Sequence, residues 1–373
     1  MKIQKIKLMN FRNYDKLELS FNPCKNIIIG RNGSGKTNIV EAIYVLALTK
    51  SFRGTREDVI IKHGKDITRV EGEIKDKRKE SFKVILDNNK KIVKKGNTVI
   101  KRISDYISNI NIVLFTSEDL KLIKDTPNTR RKLINVELSQ FSNEYLKYLT
   151  LYNKILKQRN MYLKTLYLNG NASKEYLDII TNQLVDYGMK IYEYRKQFID
   201  DISEYISNIY ENITNKSDLK LLYKSDFLNK TKEEILKSYK RSVNSDIRNG
   251  QTREGIHHDD FDFTLNDTNL KDFGSEGEQK NAIIALKLAE LELFKNKKGI
   301  IPILILDDLY SELDKVKINN ILNFINEDIQ TFITTTEITK LSKKLKDGSK
   351  VFKVKDGIVE EVNYEKWNWC LWW

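Results

Sequence analysis

Lys36, Thr37, Asp307 and Asp308 are the side chains of this 373-residue sequence best suited to phosphate chemistry. Lys36 and Thr37 close the stretch Gly30-Arg31-Asn32-Gly33-Ser34-Gly35-Lys36-Thr37. A G-x-x-x-x-G-K-T pattern needs a strand before it and a helix after it to act as a phosphate loop. Both are legible: Asn26–Ile29 reads as a buried strand, and Thr37–Leu48 as a helix with Ile39, Ile43, Leu46 and Ala47 on one side. Glycines 30, 33 and 35 let backbone N–H groups curl around phosphate oxygens, and the helix N-terminus adds partial positive charge. Lys36 is expected to reach the β- and γ-phosphates, and the Thr37 hydroxyl to ligate Mg²⁺. Asp307 and Asp308 end the apolar run that starts at Ile300. The first carboxylate is placed to hold Mg²⁺ through water opposite Thr37, the second to polarise an attacking water.

A second anion-facing element lies far along the chain. Phe273-Gly274-Ser275-Glu276-Gly277-Glu278-Gln279-Lys280 precedes a strong helix, Asn281–Phe294, and again offers Ser, Gly and a helix N-terminus. One phosphate loop needs no second cradle, so this one is expected to cap the γ-phosphate bound by another copy of the chain. Ser311-Glu312-Leu313-Asp314 reads as a turn into a helix, and Thr331–Thr336 as a buried strand whose hydroxyls emerge at its end. Arg12, near the end of the first strand, is close enough in sequence to fold back toward the nucleotide, with a surface arginine as the equal alternative. His257-His258 beside Asp259-Asp260 gives neither an i, i+4 histidine pair nor a third soft ligand, so no metal is expected there.

The elements that must position these residues follow from period and punctuation. Lys2–Leu8 and Asp15–Phe21 read as strands joined around Asn10–Tyr14, and Ile67–Glu73, Ser81–Asp87 and Lys90–Val93 as a meander. Asn111–Phe115 reads as another buried strand. Beyond Pro127 the pattern turns helical. Asn143–Lys164 and Lys174–Ile213 form a hairpin with a coiled-coil-like seam, Gly170 and Ser173 supplying C-cap and N-cap between them. Its length and charged outer faces suggest a projecting arm. Leu219–Tyr223 and Phe261–Leu265 read as strands, Thr231–Asn249 as a helix closed by Gly250, and Val351–Val354 with Ile358–Val362 as a closing hairpin. The expected fold class is α/β: a P-loop ATPase head split by an inserted α-helical arm. Its expected divisions are 1–121 (first head lobe), 122–254 (arm), 255–362 (rest of the head) and 363–373 (a tryptophan-rich tail).

A net charge of +13 and a pI near 9.3 favour an anionic macromolecular partner. The lysine-dense segment Lys75–Arg102 reads either as a basic strand face tracking a phosphate backbone or as a sheet edge guarded by lysines. Cys24 and Cys370 stand at opposite ends, which suggests neither a disulfide framework nor a cysteine metal cluster and makes a reducing compartment the default. Met1–Ser20 carries no signal-peptide core, and the run Ile300–Leu306 is too short to span a bilayer. A soluble, cytoplasmic protein without a membrane partner is expected.

The order of phosphate loop, Ser-x-Gly-x-Gln element, Asp-Asp strand end and Ser-Glu-Leu-Asp turn resembles an ABC-type ATPase head of the SMC kind. Four further stretches narrow the resemblance to the bacterial RecF family: Leu8–Tyr14, Leu114–Lys124 with Thr126-Pro127 and Arg130-Arg131, Phe273–Lys280, and Pro302–Asp314. It runs from Met1 to about Glu361. The resemblance implies an ATP-dependent homodimer with two nucleotides between heads, slow Mg²⁺-dependent hydrolysis stimulated by DNA, and binding to single-stranded DNA and gapped or junction DNA. It also implies DNA repair, the SOS response and replication-fork maintenance, with RecR and RecO as partners in loading RecA at gaps. Carried over by position, Gly30–Thr37 is the Walker A loop, and Ser275, Gly277 and Gln279 are the signature acting in trans. Asp307 is then the Walker B metal carboxylate, Asp308 the catalytic carboxylate where most ABC proteins have glutamate, and Asp314 the end of the D-loop.

Several positions depart from the family pattern. Gly255-Ile256-His257-His258-Asp259-Asp260 has histidine at 258 and isoleucine at 256 where the family has arginine and proline. Glu276, Glu278 and Lys280 replace a more neutral signature and add negative charge beside an anion site. No glutamine near Glu118 serves as a Q-loop, Thr335 or Thr336 occupies the usual switch-histidine position, and Trp367–Trp373 matches nothing in the family. A transporter-type ABC ATPase subunit is the alternative, against which the inserted arm and the basic charge argue.

Overall fold

The structure, a computed structural model, describes residues 1–362 apart from 55, 57, 77, 88–89, 170–172, 326 and 337–340, and side chains for all of these but 310, 315 and 344. The expected cap glycine Gly170 and the tryptophan-rich end lie outside the described residues. The chain divides into two compact units: Met1–Lys121 with the residues from Ile283 onward, and Leu122–Ala282.

The first unit opens with β1 (Lys2–Phe11), β2 (Tyr14–Ser20), β3 (Lys25–Ile29), α1 (Lys36–Leu48), β4 (Ile67–Lys75), β5 (Lys79–Asp87), β6 (Lys91–Lys95), β7 (Thr98–Ile100), α2 (Ser104–Ile107) and β8 (Ile112–Thr116). Six of these strands make an antiparallel sheet in the order β2-β1-β4-β5-β6-β7. Along β4 burial alternates as a one-sided sheet demands: Thr68, Val70 and Ile74 face inward while Arg69, Glu71 and Glu73 face water. Cross-strand ion pairs bridge the strands of this sheet. Lys7 meets Glu18 at 3.2 Å, Lys83 meets Glu71 at 2.9 Å, Lys79 meets Glu73 at 2.7 Å and Lys95 meets Glu80 at 2.9 Å. Lys79, Lys83 and Lys95 of the lysine-dense segment are thus answered by glutamates on neighbouring strands, as in a guarded sheet.

The second unit follows with α3 (Pro127–Phe141), α4 (Asn143–Leu168), α5 (Lys174–Thr214), β9 (Leu219–Lys224), α6 (Lys232–Asn249), β10 (Asp260–Leu265), β11 (Thr268–Asn269), α7 (Leu270–Phe273) and the first residues of α8 (Glu276–Lys298). Several of its helix ends are those the sequence announces, although α4 runs four residues past the expected Lys164. Pro127 opens α3, Ser173 caps α5 by accepting from Tyr176 N–H, Thr231 and Glu234 close a capping box on α6, and Gly250 ends α6 in the left-handed region. The α4–α5 hairpin is not a bare coiled coil. Helix α6 packs on both members, α3 adds to them, and β9 lies against α5. Apolar stripes on long helices pair equally well with each other or with a third element, and here the third element is present.

Charge is buried inside this unit in arginine–aspartate pairs. Arg159 donates to Asp246 at 2.9 Å with both side chains at most 1% exposed, and also reaches the hydroxyls of Thr181 and Thr252. Arg195 meets Asp259 at 2.6 Å, and Arg130 grips Asp260 with two bonds of 2.7 and 2.9 Å. The two aspartates after His257-His258 are therefore arginine partners. Strand β10 pairs with β9 from Asp260↔Lys224 to Leu265↔Leu219 in the sheet β11-β10-β9. That pairing draws residues 255–282 into the second unit, whereas the sequence divisions put them with the head.

The chain then returns to the first unit with the rest of α8, β12 (Ile303–Asp307), α9 (Lys315–Phe324), β13 (Thr331–Thr335), α10 (Lys343–Lys346), β14 (Lys350–Lys355) and β15 (Ile358–Val362). The second sheet runs β15-β14-β3-β13-β12-β8, parallel except for the edge strand β15. Strands β12 and β13 are buried along their whole length, as strands covered on both faces must be. Helix α1 packs on β1, β4 and β5 of one sheet and on β12 and β13 of the other.

His257 gives the second unit a pH dependence. Its Nδ1 pairs with the Tyr152 hydroxyl at 2.8 Å and its Nε2 with the Thr252 carbonyl at 3.1 Å, and burial holds the imidazole down at about 4. The unfolded chain, with an ordinary histidine near 6.5, takes up the proton first, so stability falls as pH drops from about 7 toward 4. Between pH 7 and pH 5 the loss from this group is about 2 kcal/mol. Urea midpoints across that range are expected to slope downward in the native chain and to flatten in His257→Gln.

Candidate nucleotide site

The loop between β3 and α1 is shaped by two glycines. At Gly35, φ is +112°, and an added Cβ would lie 2.7 Å from Asn13 Nδ2 and 2.8 Å from the Tyr14 hydroxyl. At Gly30 a Cβ would come within 2.4 Å of the Val354 carbonyl oxygen, so any side chain would push the loop off β14. Lys36 is buried and its ammonium donates to the carbonyls of Gly30 at 2.8 Å and Arg31 at 3.0 Å, folded back over the loop's own turn. Burial pulls this ammonium below its ordinary value, opposed by Asp308 and Asp307. Ser34 Oγ is buried with no hydrogen-bond partner among the described residues.

Parallel pairing of β3, β13 and β12 brings the two carboxylates to this loop. Asp307 Oδ1 accepts from the Thr37 hydroxyl at 3.1 Å and from the Thr334 hydroxyl at 2.7 Å. The Thr334 hydroxyl oxygen in turn accepts from Asp308 N–H at 2.9 Å, and Asp308 sits at φ +54° as the chain turns out of β12. Burial pushes the Asp307 carboxyl up, against the pull of the Thr334 and Thr37 hydroxyls. The hard-oxygen set Thr37 and Asp307 fits a small divalent cation such as Mg²⁺, and the unpaired Ser34 hydroxyl fits a polar ligand in the loop. Thr334 was not singled out by the sequence, which pointed to Thr335 or Thr336. Strand alternation turns Thr334 toward the Asp307 carboxylate, while the Thr335 carbonyl accepts from Gly30 N–H at 3.3 Å.

A cleft of about 830 Å³ opens beside the loop, lined in part by Lys36, Thr37, Asp308, Arg12, Arg53, Lys62 and Lys65. That volume suits a nucleotide, and cations outnumber carboxylates on its wall. Arg12 does fold back to this cleft. Its Nε and Nη2 fork onto Glu41 at 2.9 and 2.5 Å, and Nη1 donates to the Val59 carbonyl at 2.7 Å. Glu41 lies on α1 with no exposed surface and also accepts from the Ser51 hydroxyl. Arg53 stands 3.7 Å from it and donates to Asn38 at 2.9 Å. Neither Glu41 nor Arg53 carried a sequence signal, because a glutamate inside an apolar helix declares no partner.

The signature residues divide. Ser275 and Gly277 are exposed, whereas Gln279 is buried and donates to the carbonyls of Leu270 at 2.7 Å and Gly274 at 3.1 Å. Gln279 thus braces the segment from inside the second unit rather than offering its amide at the surface. Asp314 caps α9 by accepting from Lys317 N–H at 2.9 Å, the ordinary task of an aspartate at a helix start.

Residues 2–360 match the family model described as RecF/RecN/SMC N terminal domain. The chain is 40% identical to the DNA replication and repair protein RecF of Streptococcus agalactiae, covering 98% of this chain and 99% of that protein. With the protein of the same description from Ligilactobacillus salivarius it shares 36% identity over 97% of this chain and 98% of that one. The chain belongs to the RecF family. Among solved structures, the recombination mediator protein RecF with ATPrS in the RecFOR pathway superposes with a TM-score of 0.90 at 28% identity, covering 97% of this chain and 98% of that one. An Smc head domain from Pyrococcus furiosus, at 17% identity and a TM-score of 0.54 over 99% of this chain and 98% of that one, shares the fold alone. The α/β architecture is that of an SMC-like ABC ATPase. Among the described residues no helix is long and apolar enough to cross a membrane.

Thr334 bridges the Asp307 carboxylate and the backbone N–H of Asp308, so Thr334→Val keeps the shape and removes the bridge. ATP turnover is expected to fall about tenfold or more, roughly 1.4 kcal/mol on the barrier, while ATP affinity stays within about twofold. Steady-state hydrolysis alongside binding of a fluorescent ATP analogue separates the two quantities.

Proposed function

We propose that this chain is an ATP-gated DNA-binding protein of replication and recombinational repair. The observation that carries the reading is the Thr37–Asp307 contact of 3.1 Å, which joins the phosphate loop to the carboxylate end of β12 beside a cation-lined cleft. The RecF relative solved as an ATP complex supports the choice of nucleotide. In this reading the N–H groups of Gly30–Thr37 and the Lys36 ammonium hold the β- and γ-phosphates. Thr37 and Asp307 hold Mg²⁺, which supplies charge neutralisation at the phosphates when bound. Asp308 orients the attacking water and accepts its proton. Arg12, already steered by Glu41, has N–H groups left for an anionic oxygen at the cleft wall.

Ser275 and Gly277 of a second copy complete the γ-phosphate site, with Gln279 bracing them and Asp314 fixing the start of α9. Two copies then close on two ATP molecules, and slow, DNA-stimulated hydrolysis reopens them. Single-stranded DNA and gapped or junction DNA are the proposed ligands, in keeping with the +13 net charge. RecR and RecO are the proposed partners in loading RecA at gaps, and the cytoplasm the proposed compartment.

Lys36→Met is expected to weaken ATP binding about a hundredfold, roughly 2.7 kcal/mol, measured with a fluorescent analogue. Asp308→Asn is expected to bind ATP as the parent does, stop turnover and accumulate dimer in light scattering. Binding of gapped DNA, titrated against salt with and without ATP, tests the gating. An affinity for DNA that ignores ATP in both parent and Asp308→Asn would sink the proposal.

A further inference from the structure

The donors of Ser275 are already committed inside its own unit. Ser275 N–H and the Ser275 hydroxyl both donate to Oε2 of Glu278, each at 2.9 Å. Glu278 N–H returns a 3.3 Å bond to Ser275 Oγ, closing a capping box at the start of α8. The other carboxylate oxygen, Oε1, accepts from Lys216 Nζ at 2.9 Å, in the connection between α5 and β9. The Lys216 bond above all, then the two Ser275 bonds, hold the Glu278 carboxyl down at about 2. A permanently ionised carboxylate therefore sits on the very donors that a phosphate oxygen from a second copy would need.

We propose that Glu278 is a positioning residue that latches Ser275, and that transfer of its carboxylate wholly onto Lys216 is what admits the terminal phosphate of ATP held by the other copy. This rests on the cross-subunit reading of Ser275 given above. The latch is intramolecular and so competes at high effective concentration. The dianionic end of a triphosphate can displace it, whereas ADP, whose terminal phosphate carries the same charge, ends one phosphate short of the latch. Lys216 eases release because it gives the displaced carboxylate a partner. A mere helix cap behaves differently: losing either residue would loosen the start of α8 and weaken any dimer alike.

Three variants of the full chain separate these cases, read by light scattering against ATP·Mg²⁺ concentration. Glu278→Gln keeps an acceptor for the capping box and removes the charge. It is expected to dimerise at about tenfold lower ATP, while Lys216→Ala needs several-fold more, opposite shifts set by one latch equilibrium. Glu276→Gln removes the same charge from the same turn, where Glu276 pairs with Lys280 at 2.8 Å, and is expected to stay within about twofold of the parent. Binding of a fluorescent ATP analogue to the dilute monomer should be equal in all. Equal dimerisation by Glu278→Gln and parent overturns the latch alone. A shift in Glu276→Gln as large as in Glu278→Gln, or the same direction for Lys216→Ala and Glu278→Gln, overturns it too. No dimer in either parent or Glu278→Gln, with the analogue still bound, removes the cross-subunit reading and the latch with it.

Discussion

Burial of helix α1 between two sheets is the constraint on which the site depends. From Ile39 to Leu48 every residue of the helix is buried, against β1, β4 and β5 on one side and β12 and β13 on the other. Each valine, leucine and isoleucine side chain placed there contributes roughly 1.5–3 kcal/mol. The helix therefore cannot shift without loosening both sheets, and the loop at its N-terminus inherits that rigidity. Lys36 and Thr37 are the first two residues of this fixed element, so their positions are set by apolar packing several turns away.

Glu41 is the exception on that helix. A carboxylate with no exposed surface is costly unless its charge is met, and the Arg12 fork meets it. The consequence reaches the cleft wall, because Arg12 belongs to the β1–β2 turn and Arg53 follows the end of α1. One buried charge thus ties three separate stretches of chain to the nucleotide cleft. The second unit uses the same principle in Arg159–Asp246, Arg195–Asp259 and Arg130–Asp260, where guanidinium–carboxylate pairs join segments that are distant in sequence.

The signature segment shows how one motif can hold residues of different kinds. Gln279 looks inward and satisfies carbonyls, Ser275 looks outward, and Glu278 stands between them as a cap. A sequence comparison weights these positions alike, yet only burial and hydrogen bonding distinguish a brace from a contact.

What the sequence determined by itself is what is local along the chain. The phosphate loop, its flanking strand and helix, the caps at Ser173, Thr231 and Gly250, and the hairpin of α4 and α5 all depend on neighbours within a few residues. Backbone dihedral preference and hydrophobic period suffice for them. The assignment of carboxylates to Asp307 and Asp308 was also legible, because a buried strand ending in two aspartates is unusual. The tertiary structure decided the rest. The Thr334–Asp307 bond, the Arg12–Glu41 fork and the enrolment of residues 255–282 with the helical unit all rest on pairings between remote segments. Thr37 and Asp307 stand 270 positions apart, and only the strand order β3-β13-β12 makes them neighbours. Such contacts are chosen by which buried faces and charges find each other in three dimensions, and that choice leaves no periodic trace in one.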